Sequence, residues 1–92
     1  PCCFAGGPGG ELLVPDLHAF INIYDAADQP VATHVGDHRE IVEKHGWPNV
    51  PHEMRHAGKF NSPHGGTFDA EGNIYIVEWV EDGRITKLTR QA

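Results

Sequence analysis

Asp69-Ala70-Glu71-Gly72-Asn73-Ile74-Tyr75-Ile76-Val77-Glu78 reads as a hairpin loop running into a β-strand. Gly72 stands where such a loop calls for a left-handed backbone, which glycine adopts without the steric penalty of a Cβ. From Ile74 to Glu78 the residues are β-branched and aromatic, and Ile85-Thr86-Lys87-Leu88 beyond them alternates, which predicts two adjacent strands.

The pattern occurs twice. With Pro1-Cys2-Cys3-Phe4 set over Pro63-His64-Gly65-Gly66, Glu11-Leu12-Leu13-Val14-Pro15-Asp16 falls without a gap on Asn73-Ile74-Tyr75-Ile76-Val77-Glu78. Apolar residues lie over apolar ones, and acidic Asp16 lies over acidic Glu78. Allowing two extra residues in the second copy, Phe20-Ile21-Asn22-Ile23-Tyr24 falls on Arg84-Ile85-Thr86-Lys87-Leu88. Gly6-Gly7-Pro8-Gly9-Gly10 fills the loop slot of the first copy, Asp25 to Pro30 makes a further turn, and Val31 to Val35 reads as an outer strand. A repeat of short strands that cannot each bury a face alone implies stacked sheets. The expected fold class is therefore all-β, with two consecutive four-stranded antiparallel units, the second incomplete because the chain stops at Ala92. The first unit is expected over 1–35, a connecting loop over 36–62 and the second unit over 63–92. That His- and Pro-rich loop has a helical pattern at Arg39-Glu40-Ile41-Val42-Glu43-Lys44-His45, broken by Trp47-Pro48-Asn49-Val50-Pro51.

Composition limits the possible partners. The formal charge of −6, with the basic residues scattered, leaves no stripe to neutralise phosphates, so nucleic acid is not an expected partner. No apolar run approaches the length of a membrane span. Cys2 and Cys3 are adjacent and the only cysteines, a spacing that suits neither a disulfide framework nor a zinc knuckle and leaves the compartment open. The chain begins at Pro1, so a preceding leader, and with it an extracytoplasmic location, is compatible with the sequence.

From Lys59-Phe60-Asn61-Ser62-Pro63-His64-Gly65-Gly66-Thr67-Phe68 through Glu78 the chain resembles an NHL repeat: phenylalanine, proline, a small-residue strand, an acid-to-glycine turn, then an asparagine-led apolar strand ending in an acid. The resemblance implies two blades of a six-bladed β-propeller, with strands a to d running outward from the central channel. Within that superfamily Pro63-His64 is similar to the domain that cleaves peptidyl-hydroxyglycine, in which histidines opening innermost strands converge on a metal. By that resemblance His64 is a candidate metal ligand, with Cys2 of the adjacent blade as a second, for a divalent ion such as zinc or calcium. The chain departs from the lyase pattern in carrying Gly65 where an acid is usual and Cys2 at the equivalent position of the first copy. Against the ligand role stands an ordinary reading of His64 as a channel-mouth side chain bonded to water or backbone.

Other candidates are weaker. His52-Glu53-Met54-Arg55-His56 matches the H-E-x-x-H pattern, but Pro51 and Gly58 leave at most about two helical turns, and the match is easily accidental among seven histidines. Asp16 and Glu78 either face the channel and bind a cation or polar substrate, or accept backbone N–H groups of the next turn; the second is the stronger reading. Trp79 reads as packing, and His34, His38 and His45 as solvated loop residues. Two functions follow as expectations: a metal-assisted lyase or hydrolase, or a non-catalytic propeller scaffold that binds protein or carbohydrate across one face. Either needs partners for the open ends of the stack, supplied by self-association or by the remaining blades of a longer chain.

Overall fold

A computed structural model of the chain describes residues 3–47, 57–80 and 83–90. Seven strands and one helix follow in order: β1 (Ala5–Gly6), β2 (Leu12–Asp16), β3 (Phe20–Tyr24), β4 (Pro30–Val35), α1 (Arg39–His45), β5 (Pro63–Phe68), β6 (Ile74–Glu78) and β7 (Arg84–Leu88). They form two antiparallel sheets, β1-β2-β3-β4 and β5-β6-β7, each ordered as in the chain. The fold is all-β in two successive blade-like units of four and three strands. β2 and β6 occupy positions 62 apart, and β3 and β7 positions 64 apart, as the internal repeat requires.

Three hairpin loops share one hydrogen-bond plan. In 7–11, 25–29 and 69–73 the first residue's N–H donates to the carbonyl of the fifth, at 2.8, 2.8 and 2.9 Å, and the fourth residue's N–H donates back to the carbonyl of the first. The fourth residue has positive φ in each: Gly10 at 84°, Asp28 at 61° and Gly72 at 85°. This is the conformation that makes glycine favourable in two of the three loops. Asp25 and Asp69 complete the plan, each with one Oδ1 that accepts the N–H groups two and four residues on. Where Gly7 lacks that carboxylate, Glu11 Oε1 accepts the Gly9 N–H at 2.7 Å instead.

The core lies between the sheets, where β1 and β2 pack against β5. Leu13, Ile21, Phe60, Ile74 and Ile76 are buried there, with Ala5, Ile23, Val35, Phe68 and Leu88 packed around them. Alternation along a strand puts successive residues on opposite faces, and the two sheets bury opposite sets. β2 buries Leu13 and Pro15, whereas β6 buries Ile74, Ile76 and Glu78. The sheets approach closely at Gly66, where a Cβ would lie 2.8 Å from both Ile76 Cδ1 and Leu13 Cδ2. Helix α1 falls where the sequence pattern places it. It has Glu40 in its first turn, Lys44 and His45 in its last, and a left-handed Gly46 as C-cap. Val42 seals it against Ala19, with Ile41 and Trp47 around them. His34 sits on β4 and His45 within α1, so neither is a loop residue.

Candidate functional site

The antiparallel topology divides the two ends of the sheets by chemistry. The three tight loops occupy one end. At the other end β2, β4 and β6 finish and β3, β5 and β7 begin, which brings together Asp16, His18, His34, His64, Glu78 and Trp79 with α1. Cys3 joins this end: its thiol donates to the His64 carbonyl oxygen at 3.0 Å, pinning the entry of β1 to the entry of β5.

The residues singled out from sequence meet different fates there. His64 is the second residue of β5 and is exposed. Cys2 and the His52–His56 motif lie outside the described residues. Among the described residues, no group of three or more His, Cys, Asp or Glu side chains stands close enough to hold a metal. Asp16 follows the turn-capping reading, since its Oδ1 accepts the His18 N–H at 2.9 Å. Glu78 also serves the backbone, although its donors come from the segment before β5 rather than from the following turn. Oε2 accepts the N–H groups of Asn61 (2.7 Å) and Ser62 (3.1 Å), and Oε1 accepts Arg84 Nε at 2.7 Å. Its side chain is wholly enclosed, so this acid braces the connection into β5.

The open chemistry of this end is a cleft of about 460 Å³ between α1 and the β2–β3 turn, lined by Asp16, His18, Phe20, Arg39, Glu43 and Trp47. Arg39 is held over the Phe20 ring, 5.1 Å from its centroid, and forks onto Asp37 through Nε and Nη2. The guanidinium bond draws the Asp37 carboxyl below the usual aspartate range, and Asp37 in turn raises Arg39. His34 packs edge-on against Phe20 at 4.5 Å between centroids. His18 meets Trp47 in a T-shape at 5.1 Å, and Trp47 leans on Trp79 at 5.8 Å. Ring surface, two carboxylates, an imidazole and a guanidinium thus border one cavity, a mixture suited to orienting a small polar ligand against an apolar floor.

Phe20, Arg39 and Trp47 were not legible as site residues, since each looks local in sequence: a strand residue, a helix start and a helix break. The spacing Asp37-x-Arg39 ahead of a helix, with an aromatic residue just past its Gly46 cap, is the available signal. Comparison of the chain with family models, curated proteins and solved structures yields no match.

Proposed function

We propose that this chain supplies two consecutive blades of an NHL-type propeller whose histidine-bearing end is a non-catalytic binding face for a hydroxylated ligand of the carbohydrate class. The cleft of Asp16, His18, Phe20, Arg39, Glu43 and Trp47 carries this reading. Sugar rings present C–H faces to aromatic surfaces and hydroxyls to carboxylates and guanidinium groups, and both kinds of partner line the cavity. The Trp47–Trp79 pair supplies the test. Indole emission is expected to change saturably on titration with one or more members of an oligosaccharide panel, and Asp16→Asn to weaken that binding at least tenfold. No member bound at millimolar concentration would overturn the reading.

A metal-assisted lyase or hydrolase is the second reading, supported by the 3.0 Å Cys3–His64 contact, which brings the first blade's inner cysteine segment to a histidine at the mouth of β5. It expects one zinc or calcium ion per chain after purification, lost in His64→Ala and in Cys2→Ser. Metal-free wild type after incubation with each ion would dismiss it.

A further inference from the structure

The internal repeat identifies what each open sheet face is built to meet. In the first sheet Leu13, Pro15, Ile21 and Ile23 face the second sheet; Leu13 and Ile21 are completely enclosed. Their repeat equivalents are Tyr75, Val77, Ile85 and Lys87, on the opposite face of the second sheet. There Val77 is 45% exposed and Ile85 73% exposed, while Lys87 Nζ lies over the half-buried Tyr75 ring, 5.5 Å from its centroid. Conversely, the second sheet covers the first with Ile74 and Ile76, whose equivalents are Leu12 and Val14 on the far face of the first sheet. The chain thus carries both halves of its own internal interface a second time, one half at each end of the stack.

We infer that the open face of the second sheet docks a second copy of this chain, head to tail, through that copy's Leu12 and Val14. The contact continues the interface already formed between the two sheets: Leu12 and Val14 of one copy take the places of Ile74 and Ile76 against Tyr75, Val77 and Ile85 of another. Such a contact is heterologous, so it propagates until the ring closes. Rings of roughly four to eight blades are closed propellers, which two-blade copies reach as a dimer, trimer or tetramer. The inference rests on the propeller reading. Each copy carries a formal charge of −6, so screening by salt strengthens an association driven by apolar burial.

Sedimentation velocity on the wild-type chain tests it. A closed species of two to four copies is expected at micromolar concentration, persisting or tightening as salt is raised. Ile85→Arg and Val77→Arg, both at exposed positions, are expected to give folded monomers by circular dichroism. A mixture then discriminates head-to-tail docking. Ile85→Arg blocks one face and Val14→Arg, or Leu12→Arg should that variant not fold, blocks the other, so the pair forms a one-to-one dimer and nothing larger. Wild type that remains monomeric at about 100 μM, or variants that associate as wild type does, would overturn the inference. Methyl contacts between Leu13 and Ile76 by NMR report separately on the stacking within one chain. Their presence in a monomeric wild type removes this inference alone, and their absence removes the propeller reading.

Discussion

Glu78 and Asn61, seventeen residues apart, are joined by a 2.7 Å bond from the Asn61 backbone N–H to a carboxylate with no solvent exposure. Both Glu78 oxygens are committed, Oε2 to two backbone N–H groups and Oε1 to Arg84. Arg84 also donates through Nη2 to the Lys59 carbonyl, so one ion pair holds both β7 and the entry to β5.

Glu78→Gln places an amide donor against one of these donors whichever way the amide turns. We expect a loss of about 3 kcal/mol, the scale for breaking a buried charge pair and leaving its partners unmet. Urea unfolding measures it, and a loss below about 1 kcal/mol would contradict the enclosed arrangement.

Ile21 and Ile85 are repeat equivalents with opposite surroundings, one fully buried and the other 73% exposed. Ile21→Ala is expected to cost about 2–5 kcal/mol through lost burial and the cavity left behind. Ile85→Ala is expected to stay within about 0.5 kcal/mol in dilute monomer. Equal costs in thermal or urea unfolding would show that the sheet faces are assigned wrongly.

Gly66→Ala brings a methyl to 2.8 Å from two side chains and 3.0 Å from the Tyr75 carbonyl oxygen. Backbone cannot yield as a side-chain tip does, so a destabilisation of about 1–3 kcal/mol is expected from overpacking. Gly6→Ala, with no atom within 4 Å of the added methyl, provides the neutral comparison in the same melts.

Acid should loosen the carboxylate-capped turns. The bond from Arg39 lowers the Asp37 pKa. At Asp69 burial pushes the pKa up, but hydrogen bonds from Asn73, Tyr75 and Glu71 outweigh it and the net direction is down. A folded-state pKa below the unfolded one contributes stability above the unfolded value, about 4 for aspartate, and loses it as pH falls through the folded value. Asp37→Asn and Asp69→Asn are thus expected to differ most from wild type above about pH 5 and to converge with it below pH 4. A difference that does not vary with pH in urea unfolding would rule out these pairings as its source.

Strand positions, loop ends and the α1 segment were legible in the sequence because each is set by neighbours a few residues away. Gly10 and Gly72 supply left-handed turns, Asp25 and Asp69 cap their own loops, and apolar runs of β-branched residues extend from them. The two-copy repeat was legible for the same reason. Which face of each strand is buried was not, because Leu12-Leu13-Val14 and Ile74-Tyr75-Ile76-Val77 are apolar on both faces. Only the stacking of one sheet on the other selects Leu13 in β2 but Ile74 and Ile76 in β6. Tertiary structure likewise decided that Glu78 braces residues 61 and 62, and that Phe20, Arg39 and Trp47 share a cleft with Asp16 and His18. Glu78 lies 16 and 17 residues from the groups it braces, and Arg39 and Trp47 lie 19 to 31 residues from the Asp16–Phe20 segment, separations over which local propensity carries no information and packing geometry alone determines which groups meet.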